Sequence, residues 1–90
     1  MNFEWSEAKN QSNIKKHGID FADALYVFAN PLHKKVFDAA HSLTEERWKI
    51  IGNVGKILLV IVTYKLQGTV RIVSARAATR TERKEYYGHN

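Results

Sequence analysis

The 90-residue chain is long enough for one domain around a single core, and its 44% hydrophobic content argues against a disordered chain. The chain has no cysteine, which excludes a disulfide framework and a thiolate metal site and suits a reducing cytosol. A net charge of +5 favours a polyanionic partner such as nucleic acid. The first ten residues do not have the pattern of a signal peptide, and the longest apolar run, Ile57 to Val62, is too short to span a membrane. We therefore expect one cytoplasmic domain over residues 1–90, with no membrane partner.

The N-terminal segment predicts a short strand followed by a polar helix. The alternation from Phe3 to Trp5 is sufficient for an edge strand. Ser6 is a good N-cap for a helix that runs to about His17, and Gly18 is suited to the C′ position. Few residues of this helix are apolar, so we expect it to cover one side of a sheet rather than form the centre of the core.

The second predicted helix belongs to the core. Asp20 can cap it, and its apolar residues have the spacing of a single stripe: Phe21, Ala24, Leu25 and Phe28. Pro31 ends this helix, because proline disfavours helical geometry in the residue before it. The aromatic residues that we interpret as core are Trp5, Trp48, Phe21, Phe28 and Phe37.

Strands joined by turns are predicted for most of the remaining chain. They cover His33–Asp38, Arg47–Ile51, Ile57–Thr63 and Val70–Arg76. A polar loop with His41 follows the first strand, and glycine-containing turns are predicted at 52–55 and 65–68. The order β-α-α-β-β-β-β-α predicts an α+β domain with an antiparallel meander, two N-terminal helices and one C-terminal helix.

The last strand passes directly into a basic helix. Strict alternation along the strand places Val70, Ile72 and Ser74 on one face, and Arg71, Val73 and Ala75 on the other. Thr79 and Glu82 have the spacing of a capping box, so the helix should begin at about Arg80 and end at Gly88.

This junction between strand and helix is the candidate functional site. The unpaired amides of a helix N-terminus carry partial positive charge and favour a phosphate. Four arginines surround the junction: Arg71, Arg76, Arg80 and Arg83. The sequence therefore predicts an anion-binding corner.

Three groups of residues follow one another along the chain: Lys16-His17-Gly18, then Glu45-Glu46-Arg47 after His41, then Ser74-Ala75-Arg76 followed by Glu82-Arg83. Together they resemble the BrnT family of type II toxin–antitoxin systems, and the resemblance extends from Trp5 to Tyr86. It implies a RelE-like fold and a small ribonuclease that arrests translation by acting on mRNA, on or off the ribosome. It also implies a BrnA-type antitoxin, which neutralises the toxin in a heteromeric complex and binds operator DNA.

Metal-free RNA cleavage uses the 2′-hydroxyl of the substrate as nucleophile, and it requires a base, an acid and cations that stabilise the phosphorane. Arginine suits the cationic role, because its planar fork donates two hydrogen bonds to a phosphate. We expect Arg76 and Arg83 to grip the scissile phosphate, with Arg71 or Arg80 assisting. We expect Glu82 or His17 to transfer the proton. Further RNA contacts are expected from Lys16, Arg47, Lys49, Arg80 and Tyr86. We expect no metal or other cofactor.

Structural interpretations compete with these roles. Glu82 can serve as the capping-box partner of Thr79, and Arg71 can be an ordinary cross-strand charge partner. His41, Glu45 and Asp38 offer a weak metal-site pattern without a second histidine nearby. The alternative function is a non-catalytic module, which binds nucleic acid or only its antitoxin.

Overall fold

The computed structural model describes residues 2–39, 46–55 and 58–88. The strands and helices, in chain order, are β1 (Phe3–Glu4), α1 (Glu7–His17), α2 (Phe21–Ala24), a 3-10 helix (Leu25–Ala29), β2 (Lys34–Phe37), β3 (Arg47–Val54), β4 (Leu58–Gln67), β5 (Thr69–Ala77) and α3 (Arg80–Tyr87). In this part of the chain, no helix has the length and apolar character needed to cross a membrane.

The strands form one mixed sheet in the order β1-β5-β4-β3-β2. Strands β2 to β5 are antiparallel neighbours, which confirms the predicted meander. The predicted antiparallel pairing does not extend to the edge strand β1, because Phe3 and Glu4 pair in parallel with Val70 and Arg71 of β5. A long connection permits this parallel pairing, because two α-helices, a 3-10 helix and three strands separate β1 from β5. The fold is therefore α+β with a mixed sheet.

Two predicted turns begin later than expected, and the second moves from 65–68 to Gly68, because β4 continues to Gln67. Strand β3 continues to Val54, so Gly52 lies within the strand and the turn occurs at Gly55, which has a φ of 73°. The space around position 52 requires glycine, since a Cβ there would come within 3.0 Å of Val27 Cγ2 and 3.2 Å of His33 Cβ. Glycine at position 52 is needed for close approach between the strand and its neighbours, rather than for a turn.

The main core lies on one face of the sheet, called here the first face. It contains residues of β3, β4 and β5 together with the segment after α1: Ile19, Phe21, Ala24, Val27, Ile50, Tyr64, Val70, Ile72 and Ala75. The predicted apolar stripe at Phe21 is confirmed, although its second half is 3-10 rather than α-helical. Phe37 is 44% exposed, so its assignment to the core is wrong. It lies on the edge strand β2, where its ring packs against the ring of Trp48 with centroids 5.2 Å apart.

Helix α1 has the predicted caps, since the Ser6 side chain accepts from the Lys9 amide and Gly18 has a left-handed conformation. Its buried residues are polar. The Asn13 side chain donates to the Ala75 carbonyl at 2.8 Å and accepts from the Ala75 amide at 3.1 Å. Strand β1 reaches only the beginning of β5, so Asn13 supplies the hydrogen bonds that a neighbouring strand would have made there.

Helix α3 packs on the opposite face of the sheet, called here the second face. Tyr86 and Ala78 form a small cluster with Ile51 of β3. The Tyr86 hydroxyl donates to the Leu32 carbonyl at 2.7 Å, and Lys34 Nζ donates to the Tyr86 carbonyl at 2.6 Å. These bonds hold the C-terminal helix against β2 and the segment before it.

Candidate functional site

A β-bulge in β5 decides where Arg76 lies. Thr63 of β4 is opposite Ser74, and the next residue, Tyr64, is opposite Ile72, so Val73 has no partner. The bulge changes the phase of the strand and places Ala75 on the first face with Val70 and Ile72. Strict alternation, which grouped Ala75 with Arg71, is therefore wrong after Val73. Arg76 consequently projects from the second face.

The second face of the sheet is basic. Residues directly opposite each other in an antiparallel ladder project from the same face, so the register identifies the residues that share it. The cations on the second face are Lys34, Arg47, Lys49, Lys65, Arg71 and Arg76. A sheet face with this charge is suited to a polyanion.

Arg76 is held by the carboxylate of Glu82 in a bidentate pair. Nη1 and Nη2 of Arg76 donate to the two Glu82 oxygens at 2.7 and 2.9 Å. Glu82 also completes the predicted capping box, because it accepts from the Thr79 amide at 2.8 Å while its own amide donates to Thr79 Oγ1. The capping role is therefore confirmed, and the same carboxylate orients Arg76.

The pair is charged at neutral pH. Hydrogen bonds from Arg76 lower the pKa of Glu82 to about 2, against an ordinary value of 4.5, and the contacts with Thr79 act in the same direction. The hydrogen bond to Glu82 raises the pKa of Arg76 above its ordinary value. A carboxylate with such a low pKa is a weak base, so its chemical effect is to position the guanidinium.

A groove of about 280 Å³ lies beside this pair, between α3 and the strands β2 and β3. Its lining residues are Lys34, Val36, Lys49, Ile51, Glu82, Glu85 and Tyr86. The floor is apolar at Val36 and Ile51, and charged groups surround it. The groove therefore combines an apolar surface with polar groups that can fix the orientation of a ligand.

The structure brings some predicted site residues together on the second face or on the side of α3 that packs against it. These are Arg47, Lys49, Arg71, Arg76, Glu82 and Tyr86. Arg71 Nη1 lies 3.4 Å from Glu4 Oε1 on the neighbouring strand β1, which matches the interpretation of Arg71 as a cross-strand charge partner. Tyr86 is buried and its hydroxyl is engaged, so its observed contacts are structural.

Other predicted residues are exposed on helix surfaces. Arg80 and Arg83 are exposed on α3, and Lys16 and His17 are exposed in the last turn of α1. His17 follows Asn13 by four positions, so the two share a side of α1. Asn13 is bound to the residue before Arg76, which places the C-terminal turn of α1 beside the end of β5.

The weak metal-site pattern falls mainly outside the described residues, because His41 and Glu45 lie in the segment 40–45. Within the described ranges, no group of three potential metal-ligating side chains is close enough to hold an ion. Asp38, the remaining member of the pattern, is buried at the end of β2.

Sequence reasoning did not identify Lys34 and Glu85 as residues of the site. Lys34 belongs to the site because its ammonium donates to the carbonyl of Tyr86, 52 positions later. No pattern of neighbouring residues in the sequence predicts a contact over that separation. Glu85 had a usable signal, since Glu82, Glu85 and Tyr86 have the i, i+3, i+4 spacing of one helix face.

Comparisons with known proteins agree with this architecture. The family model described as the ribonuclease toxin BrnT of type II toxin–antitoxin systems matches residues 5–82. The crystal structure of the Brucella abortus ribonuclease toxin BrnT has a TM-score of 0.69 and 28% sequence identity, covering 89% of this chain and 99% of that one. The search of curated proteins gave no significant match. This chain belongs to the BrnT family of ribonuclease toxins of type II toxin–antitoxin systems.

Proposed function

We propose that the chain is a metal-independent endoribonuclease with a RelE-like fold, which cleaves RNA through the substrate 2′-hydroxyl and inhibits translation. The observation that carries the proposal is the position of Arg76. It lies on the basic second face, near the end of β5, in a fixed orientation set by Glu82 of α3. A preorganised cation at the point where phosphorane charge develops is an effective source of catalysis.

Arg76 keeps donors for a phosphate while it is bound to Glu82. A guanidinium has five N–H donors, and three are used here: two by Glu82 and one, from Nη1, by the Ala77 carbonyl at 3.3 Å. The two remaining donors can bind non-bridging oxygens of the scissile phosphate. Arg83 and Arg71 assist from α3 and from β5.

Proton transfer is assigned to His17 in this proposal. Glu82 is a weak base because its pKa is about 2, whereas histidine is the side chain that most often acts as general acid or base. His17 lies one turn beyond Asn13, whose side chain is bonded to the main chain of Ala75. These two bonds hold the end of α1 close to the end of β5, which carries Arg76.

The RNA backbone on both sides of the scissile phosphate meets further cations. Lys49 faces RNA from the groove, and the backbone contacts are assigned to Arg47, Arg80 and Lys16. Contacts of this kind are electrostatic and independent of base sequence, so RNA binding should weaken steeply with salt.

A BrnA-type antitoxin is the proposed protein partner, in a heteromeric complex that reaches operator DNA through the antitoxin. Two exposed lysines, Lys34 and Lys35, are followed on β2 by Val36 and Phe37, which are 59% and 44% exposed. An antitoxin surface with acidic and apolar residues complements this strand. A strongly basic surface on the partner would contradict the assignment.

The decisive experiment is RNA cleavage by the purified protein in EDTA, with identification of the 3′ ends. We expect cyclic phosphate ends, and we expect Arg76→Ala to abolish cleavage while circular dichroism remains that of the parent. Lys9→Ala is the matched control, because it removes an exposed positive charge on the first turn of α1. Cleavage by Arg76→Ala at the parental rate would refute the role of Arg76.

A protein that cleaves no free RNA should next be tested on translating ribosomes. Inactivity there, together with retained binding to RNA or to the antitoxin, would favour the non-catalytic alternative.

A further inference from the structure

We propose that the groove between α3 and the β2–β3 strands is a base-recognition subsite for guanine, read by Glu85 and Lys49. The inference rests on the proposed function, because it concerns the nucleotide next to the scissile phosphate. It assigns a base preference to the groove, whereas the proposed function needs only phosphate contacts.

The location of the groove supports a nucleotide as its occupant. Glu82 belongs both to the groove lining and to the pair that orients Arg76. A phosphate on Arg76 is therefore adjacent to the groove, and its nucleoside can extend over the apolar floor formed by Val36 and Ile51. A planar base buries its faces well on such a surface, while its edge meets the charged rim.

Two of the charged groups in the groove are already engaged. Glu82 is bonded to Arg76 and to the Thr79 amide, and the Lys34 ammonium donates to the Tyr86 carbonyl. Lys34 also lies over the Tyr86 ring, 5.3 Å from its centroid. These groups build the walls of the groove, and each already has a hydrogen-bond partner within the protein.

Glu85 and Lys49 are the charged groups that remain. Among the described residues, neither side chain makes a hydrogen bond or ion pair, and both line the groove, one from α3 and the other from β3. The groove thus offers a carboxylate, which accepts two hydrogen bonds, and an ammonium, which donates them.

Guanine complements this combination better than the other bases. Its N1–H and N2 amino group are adjacent donors for a carboxylate, and its O6 and N7 are adjacent acceptors, for which lysine is a common partner. Adenine and cytosine each have one amino group flanked by an acceptor, and uracil has a single N–H. These bases would leave part of the carboxylate or the ammonium without a partner.

The test is the binding of short 2′-O-methyl oligonucleotides, which cannot be cleaved, measured by fluorescence anisotropy at fixed salt. The oligonucleotides differ at one position, which carries guanine, inosine, 7-deazaguanine or adenine. A good bidentate contact discriminates by about 1–3 kcal/mol, which corresponds to roughly 5- to 150-fold in affinity. We expect the parent to bind the guanine oligonucleotide at least about 5-fold more tightly than the adenine oligonucleotide.

The variants separate the two contacts. Inosine lacks the N2 amino group, so we expect it to bind more weakly than guanine to the parent and equally to Glu85→Gln. The loss of affinity with 7-deazaguanine should disappear in Lys49→Met. Asp23→Asn is the control for charge, because Asp23 is an exposed carboxylate on α2, on another part of the surface.

Equal binding of all four oligonucleotides by the parent would overturn the guanine subsite, whether or not the protein cleaves RNA. Failure of the parent to bind any of them would also overturn it. Selective binding of guanine without RNA cleavage would instead support the subsite and count against the proposed nuclease activity. The base substitutions alone keep the test valid if a protein variant fails to fold.

Discussion

Arg76 and Glu82 face each other across the junction between β5 and α3, joined by hydrogen bonds of 2.7 and 2.9 Å. The two residues are only six positions apart, so a local segment of chain fixes both the helix start and the direction of the guanidinium. The carboxylate also accepts from the Thr79 amide. A change at Glu82 should therefore affect the helix cap and the proposed phosphate site together.

Arg76→Lys tests whether the arginine fork, rather than its charge, is required. Lysine keeps the positive charge but cannot make the bidentate pair with Glu82. We expect cleavage to fall by about 100-fold, the scale observed when one preorganised donor is removed from an active site. Single-turnover cleavage rates and near-ultraviolet circular dichroism check this. A rate within twofold of the parent would show that charge alone is sufficient.

Glu82→Gln tests the charge of the pair through the pH dependence of stability. The pKa of Glu82 in the folded protein is about 2, lower than its ordinary value of 4.5. The stabilisation is therefore complete above about pH 4.5, and it is lost as the pH falls towards 2. We expect the difference in free energy of unfolding between parent and variant to shrink over that interval.

Urea denaturation of both proteins between pH 7 and pH 2.5 measures this difference. All other titrating groups are shared, so their effects cancel to first order. A difference that stays constant over the whole range would contradict the assigned ion pair.

His17→Ala tests the proton-transfer assignment. A positioned general acid or base contributes about 100- to 10,000-fold to a reaction rate. We expect the variant to cleave RNA at least about 100-fold more slowly than the parent, because alanine cannot transfer a proton. Lys15→Ala, an exposed neighbour in α1, is the control. An unchanged cleavage rate in His17→Ala would remove His17 from the mechanism.

Asn13→Ala tests the contact between α1 and the uncovered part of β5. The substitution leaves the Ala75 amide and carbonyl, and the Ile19 carbonyl, without the bonds that Asn13 supplies. Unsatisfied buried groups of this kind cost about 1–3 kcal/mol each, so we expect a loss of about 3 kcal/mol in free energy of unfolding. Urea denaturation measures it, with the exposed Ser12→Ala as control. A loss below about 0.5 kcal/mol would mean that water replaces these bonds.

Local features were predicted well from the sequence. Ser6, Asp20 and Thr79 all cap helices through their side chains, as their positions before apolar or acidic residues indicated. Capping depends on neighbours within three or four positions, which a sequence displays directly. The prediction that Arg76 and Glu82 lie at one junction also depends on short separations in the sequence, although their direct ion pair was not predicted.

Features that depend on distant pairing were not predictable in this way. The parallel position of β1 follows from contacts with Val70 and Arg71, more than sixty residues away. The bulge at Val73 reflects the match between β4 and β5, and alternation within β5 alone gives the wrong faces. The groove likewise requires α3 to pack on β2, through Lys34 and Tyr86.

The bulge also gives Arg76 a part in folding specificity. In a regular ladder without the bulge, Arg76 would face the apolar core and Ala75 would face solvent, at the large free-energy cost of burying a guanidinium. The positive charge of Arg76 thus disfavours the competing register without the bulge, in addition to its proposed role in binding phosphate. Natural selection on toxicity and selection on correct folding would then act on the same side chain. An apolar residue at position 76 would remove the proposed activity and also the free-energy penalty on that competing register, even where the native fold still forms.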